Sequence, residues 1–382
     1  MIRRTLASTD FYVAAGLIFA LFLGNASFGG FPLIVLFSLC SLVFIPLYRP
    51  RIFKAIFIAV VAAIFLLYSI RANISYDKTY PLWVLSFFLG YFYTTLANSR
   101  MLYSHNSFSR MLFRAAFIAL VIFAVGCSVD FILTSGQRSS FIFGPNMLYR
   151  VFGCLSGLVA GYLFLDGRKL SGLIVMILAV IFLVITGSRA ALFIIAALLF
   201  VWVHAHTKII SFRRYMPFLI VLIVSGSLFF ALVDVGNTRL LGYSHFVLEE
   251  GTSYSEGYIR WRPYLYFLFE PDRFSLIGID YAVFFRLFGA DGFLYPHNVF
   301  LELVMFYGFF GIFVSLYFII KLYKLVRRLS TTICTRVHIL YYSIIISSIG
   351  TLFSGDLGDN GVYLGAVMAM SNNVFIQRKK LT

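Results

Sequence analysis

Pro296-His297-Asn298 opens a long apolar run, followed after nine residues by Gly308 and, two residues later, by Gly311. An imidazole with an ordinary pKa near ~6.5 can accept a proton from a hydroxyl at neutral pH, so His297 is the natural general base of the chain. At ~100° per residue, Gly308, Gly311 and Ser315 are expected close to the face that carries His297, about three or more turns deeper. Glu302, ~140° around the helix from His297, is four residues beyond Asn298 and suits bracing Asn298 or another helix. A lone histidine at a helix end is commonly a polar cap; Pro296, which restricts the approach to the first turn, gives this one more than that ordinary setting.

Three arginines could supply charge for an anion. Arg189 sits in Thr186-Gly187-Ser188-Arg189-Ala190-Ala191-Leu192, a short turn between two apolar runs, where the amides of the next helix add positive potential. Arg260 and Arg262 flank Trp261 just before an aromatic stretch, Tyr264-Leu265-Tyr266-Phe267-Leu268-Phe269. A guanidinium grips phosphate bidentately while neighbouring rings contact lipid, so Arg189, Arg260 and Arg262 could together clamp a pyrophosphate. Their ordinary alternatives are a snorkelling side chain at Arg189 and solvated loop residues at the other two. His204 and His206 lack a third ligand nearby in sequence, and the Gly144-Pro145-Asn146 turn, Asp356 and Asp359 suit turns as well as a site. Cys40, Cys127, Cys154 and Cys334 show no CxxC spacing and read as structural thiols.

The elements that must hold these residues are membrane helices. Of 382 residues 61% are hydrophobic and only 12% charged, with a mean hydropathy of +0.93, too little polar surface for a water-soluble globule. The expected fold class is all-α, a polytopic bundle of about twelve transmembrane helices forming a single transmembrane domain over 1–382. Helices are expected near 11–29, 31–48, 52–70, 80–98, 111–134 and 148–165, and again near 170–187, 189–206, 215–234, 297–320, 336–354 and 361–376. An uncleaved first helix fits the N-terminus better than a signal peptide, because a second apolar run follows almost at once.

Charge supports this order of spans. With both termini cytoplasmic, 21 of the 31 basic residues fall in inner segments, while most acidic residues fall outside. The net charge of +16 is then a topology and anionic-lipid signal, with no nucleic-acid partner implied. One long outer loop, residues 235–296, contrasts with short connections elsewhere. Its aromatic stretches, including Tyr281 to Phe285, suit short interfacial helices.

The combined pattern resembles the O-antigen ligase and polymerase superfamily of bacterial membrane glycosyltransferases, which use polyprenyl-pyrophosphate-linked glycans. Three segments within residues 140–320 carry the resemblance: Thr186 to Leu192 with Gly-Ser-Arg, Tyr258-Ile259-Arg260 through Ile277-Gly278-Ile279, and Pro296-His297-Asn298 through Gly308 and Gly311. The last is the most specific; the first five helices match in hydropathy alone. The resemblance implies an inner-membrane enzyme with a periplasmic site and no metal or other cofactor. Arg189 and Arg260 would hold the donor's pyrophosphate, and His297 would activate the acceptor. It implies as partners an undecaprenyl-pyrophosphate-linked glycan, a glycan or lipid A core acceptor, membrane lipids and a regulator of chain length. A polymerase is favoured over a ligase only because polymerases are the more numerous kind. The rival outside enzymology is a transporter or flippase of lipid-linked sugars, which predicts charges along a path through the bundle instead of at one face.

Overall fold

The computed structural model describes residues 2–22, 27–28, 31–32, 79–103, 105–134, 145–185, 191–207, 278–279, 281–288, 298–331, 337–350 and 357–378. Its helices are α1 (Ile2–Phe22), α2 (Thr79–Tyr103), α3 (His105–Leu133), α4 (Pro145–Leu165), α5 (Lys169–Ile185), α6 (Ala191–Thr207), α7 (Tyr281–Phe288), α8 (Val299–Thr331), α9 (Val337–Gly350) and α10 (Leu357–Arg378). Seven expected spans, those corresponding to α2 through α6, α9 and α10, coincide with these to within several residues at each end. The expected spans near 31–48, 52–70 and 215–234 lie outside the described residues.

The first span is corrected. Expected near 11–29, α1 starts at Ile2 and ends at Phe22, and a two-residue antiparallel ladder, β1 (Ser27–Phe28) with β2 (Phe31–Pro32), occupies its expected end. The sequence between the strands is Gly29-Gly30, the composition that two-residue hairpin turns favour. At the other end Asp10 is no tail residue: it is 2% exposed and lies 3.7 Å from the Arg100 guanidinium. That ion pair lets α1 extend past the charges that hydropathy alone treats as a boundary.

The chain divides into two compact units, one of Met1–Ile18, Ala97–Gly251 and Leu322–Gly350, the other of Phe19–Leu96, Thr252–Lys321 and Thr351–Thr382. In the first, α4 is the axis, flanked by α5, α6, α9 and α3. In α4 94% of the apolar window is buried, against 17% in α3, so α3 is an outer wall whose apolar side chains face outward. Gly153 and Gly157 supply α4's close contacts: a Cβ on Gly153 would strike Ile194 of α6, and one on Gly157 would press on Ile346 of α9. Small residues one turn apart let helices approach where lipid provides little hydrophobic drive. Cys154 Sγ reaches the Ser343 hydroxyl at 2.7 Å, joining α4 to α9; it and Cys127 are buried.

In the second unit α2 and α10 cross backbone to backbone. A Cβ on Gly90 would overlap the Val362 carbonyl, and one on Gly365 would overlap that of Phe87. Tyr363, fully buried, donates its hydroxyl to the Leu21 carbonyl at 3.0 Å.

Among the described residues three helices are long and apolar enough to cross a membrane: Asn106–Leu133, Leu148–Leu165 and Val299–Arg327. The outward faces agree with a lipid environment, since Ile118, Ile122, Val125 and Ile132 of α3 are each more than half exposed. Replacing Gly90 by Leu should force α2 and α10 apart and cost roughly 1–3 kcal/mol. Thermal unfolding of the detergent-solubilised chain measures this; an unchanged transition would mean that the crossing is not tight.

Candidate functional site

Four sequence-selected residues, His297, Arg189, Arg260 and Arg262, lie outside the described residues. Asn298, Glu302, Gly308 and Gly311 lie within them, all on α8 or at its start, together with Gly278 and Ile279 from the long loop.

α8 is not the straight helix the sequence suggests. At Gly308 φ is 55° and ψ is −134°, a conformation reserved for glycine, and the chain reverses there. The contacts on either side demonstrate the reversal. Ser315 Oγ donates to the Phe300 carbonyl at 3.3 Å, although fifteen residues of straight helix would separate them by ~22 Å. Gly311 lies so close to Leu303 that a Cβ there would overlap the Leu303 carbonyl. Residues 299–307 and 309–331 are thus the arms of a helical hairpin with Gly308 at its apex. The expectation that Gly308, Gly311 and Ser315 lie progressively deeper than the motif's start is overturned: Ser315 returns to the level of Phe300.

The two arms have different surroundings. The first is closed on nearly every side, with Val299, Glu302, Leu303, Met305, Phe306 and Tyr307 each 2% exposed or less. A helix of nine residues is too short to span a bilayer by itself, and this one is packed inside protein. The second arm buries Gly311, Ser315 and Phe318 along one face and presents Phe309, Phe313, Leu316 and Ile320 outward. At ~1.5 Å per residue, 309–331 covers the ~30 Å of a hydrocarbon core without the first arm.

Each end of the short arm is capped. Asn298 Oδ1 accepts the N–H groups of Phe300 at 2.9 Å and Leu301 at 3.0 Å, the standard work of an N-cap side chain. At the other end Ile279 donates its N–H to the Met305 carbonyl at 2.7 Å. Gly278 packs so tightly against Met305 and Phe306 that a side chain would collide with their backbone. α7 follows, with Phe284 fully buried edge-on to Phe306 at 5.7 Å and Arg286 exposed. This part of the loop is a short helix, and it lies on the hairpin. Two of the three sequence segments singled out above, the one ending in Ile277-Gly278-Ile279 and the one beginning at Pro296, therefore meet at the apex.

Glu302 is 1% exposed, and its N–H bonds the Asn298 carbonyl at 2.9 Å in the ordinary helical register. A carboxylate so deeply enclosed in an apolar arm is costly and is retained where it has a partner or a task. Among the described residues no three His, Cys, Asp or Glu side chains gather closely enough to hold a metal ion.

Sequence reasoning passed over Arg150, a fully buried arginine in the first turns of α4, its guanidinium 5.8 Å from the Tyr149 ring. The signal was available: a positive charge within the first turn of the apolar run Leu148 to Leu165 would be an intramembrane charge if that run crosses a bilayer, and such charges are functional suspects. No family model, curated protein or solved structure matches the chain.

Two substitutions separate the roles of the hairpin residues. Gly308→Ala should cost ~1–3 kcal/mol from the disfavoured φ/ψ, read as a lower unfolding temperature. Asn298→Ala should cost ~1 kcal/mol, and Asn298→Asp, which still caps, should restore it. If Asn298→Asp were as destabilised as Asn298→Ala, capping would not be what Asn298 contributes to stability.

Proposed function

We propose that the chain is a membrane glycosyltransferase of the O-antigen polymerase kind, moving a glycan from undecaprenyl pyrophosphate to an acceptor glycan hydroxyl at the outer face of a bacterial inner membrane. The observation that carries this reading is the Pro296-His297-Asn298, Gly308, Gly311 pattern, supported by the hairpin it makes and by the docking of Gly278-Ile279 at the apex. With the long loop periplasmic and Lys321, Lys324, Arg327 and Arg328 cytoplasmic, the apex stands toward the outer face. Asn298, which follows His297 in the chain, then stands about 10 Å deeper.

The acceptor oxygen attacks the anomeric carbon and forms the new glycosidic bond as the carbon–oxygen bond to pyrophosphate breaks, inverting configuration. His297 takes the hydroxyl proton. Undecaprenyl pyrophosphate departs with the electron pair, its developing charge matched by Arg189 and Arg260, with Arg262 beside them. Preorganised cationic charge in a poorly hydrated site is the largest help such a displacement can receive. Transfer of the finished glycan to lipid A core, the ligase reaction, would use the same residues.

In a strain lacking its own copy, the wild-type chain should restore long glycan, while His297→Ala, Arg189→Ala and Arg260→Ala at matched membrane levels should lower polymer at least ~100-fold. A single-repeat glycan on lipid A core in the deletion strain identifies a polymerase. Loss of all glycan from lipid A core, with long chains left on the carrier, identifies a ligase. Normal polymer from all three variants would remove the catalytic assignment and favour a transporter of lipid-linked sugars.

A further inference from the structure

A cationic cavity of ≈ 330 Å³ lies at one end of the first unit, outside the residues proposed for catalysis, between the start of α3 and the turn joining α4 to α5. Arg110, Arg114 and Arg168 line it with Asp166, Phe113 and Tyr162. Among the described lining residues, three guanidiniums against one carboxylate leave about two positive charges. The carboxylate is already engaged, with Asp166 Oδ2 3.3 Å from Arg168 Nε. Arg110 and Arg114 are exposed, stand four residues apart on one face of α3 and show no ion pair among the described residues. Like charges at that spacing repel, so an anion between them would relieve that repulsion.

The wall is rigid where the anion would sit. Gly167, at φ 82°, closes α4 in a Schellman turn: the Arg168 N–H bonds the Leu163 carbonyl at 2.9 Å and the Gly167 N–H bonds that of Phe164 at 3.2 Å. The turn fixes the backbone that carries Asp166 and Arg168. Opposite it, Phe113 stacks on Tyr162 with ring centroids 4.5 Å apart, an apolar shelf beside the charges.

The surroundings select the kind of anion. From Arg114 the same face of α3 continues as Phe117, Ile118, Val121, Ile122 and Val125, all exposed. α5 adds Leu170, Leu173, Ile174 and Ile177, also exposed. A charged cavity at the head of two apolar, outward-facing strips has the form of a lipid: phosphate at one end, acyl chains along the other. Basic pockets between membrane helices hold anionic headgroups for this reason.

We propose that this cavity is a binding site for one anionic phospholipid, its phosphate held by Arg110, Arg114 and Arg168 and its chains lying against α3 and α5. The proposal rests on the chain lying in a bilayer and is independent of the glycosyltransferase reading. The full chain in detergent, exposed to equimolar phosphatidylglycerol and phosphatidylethanolamine and measured by native mass spectrometry, should retain phosphatidylglycerol preferentially. Arg110→Gln with Arg114→Gln should lower that retention on the order of ten-fold, while Lys324→Gln, a loss of charge elsewhere, should leave it unchanged. Asp166→Asn should raise retention, a gain that a misfolded variant could not produce. Equal retention of the two lipids, or full retention by the double variant, would overturn the site. Displacement of the lipid by millimolar inorganic phosphate would overturn the lipid assignment in favour of a soluble phosphate. Absence of the chain from carbonate-washed membranes would overturn its bilayer premise, whatever the glycan phenotype.

Discussion

A backbone that turns inside an apolar environment must find partners for the peptide groups it strips of helical bonds, because no water is there to take them. The reversal of α8 at Gly308 is where this chain meets that constraint, and neighbouring groups answer part of it. Asn298 takes amides at the foot of the short arm, Ile279 supplies an N–H to a carbonyl at its head, and Ser315 returns from the long arm to the Phe300 carbonyl. Gly311 and Gly278 then have to be small, because those bonds form only when the backbones lie almost in contact. The hairpin thus accounts for the two glycines of the motif and for the loop glycine without appeal to chemistry.

The first unit deals with enclosed polarity in a different way. There the charges come as side chains: Asp10 with Arg100 between α1 and α2, and Arg150 inside α4. Burying an ion costs several kcal/mol even after relaxation, and a partner recovers only part of it. Such pairs therefore add little net stability. A thiol and a hydroxyl, Cys154 with Ser343, join α4 to α9 at much lower desolvation cost. The basic cavity at the α4–α5 turn differs from both, because its charges stand at the surface and, among the described residues, one carboxylate faces three guanidiniums.

Hydropathy located most described helices because apolar length is what a membrane selects, and α2 through α6, α9 and α10 were legible for that reason. It could not see a change of direction. The run from residue 297 to 320 has the same composition whether it crosses or folds back, and only Gly308, with Gly311 three residues on, hinted at the difference. The error had a consequence for the site, since counting turns along a straight helix put Ser315 far from the motif's start when the hairpin brings it back beside Phe300. Asp10 was missed as a helical residue for a related reason. A single-residue scale records the cost of a carboxylate and cannot include the arginine ninety residues away that offsets it. Arg150 was legible in principle, but a tally of charges by loop counted it as a flank when it belongs to the interior.

On the proposed function, the short arm gives a physical reason for catalysis to reside next to a short buried helix instead of a spanning one. A general base acts efficiently only when held within fractions of an ångström of its proton, and a buried nine-residue arm fixed at both ends moves less than a loop. The Ile279 to Met305 bond ties the long loop, which also carries Arg260, to the head of the arm whose foot follows His297. In the proposed mechanism this backbone contact, which a side chain at Gly278 would break, would couple the donor-holding loop to the acceptor-activating arm.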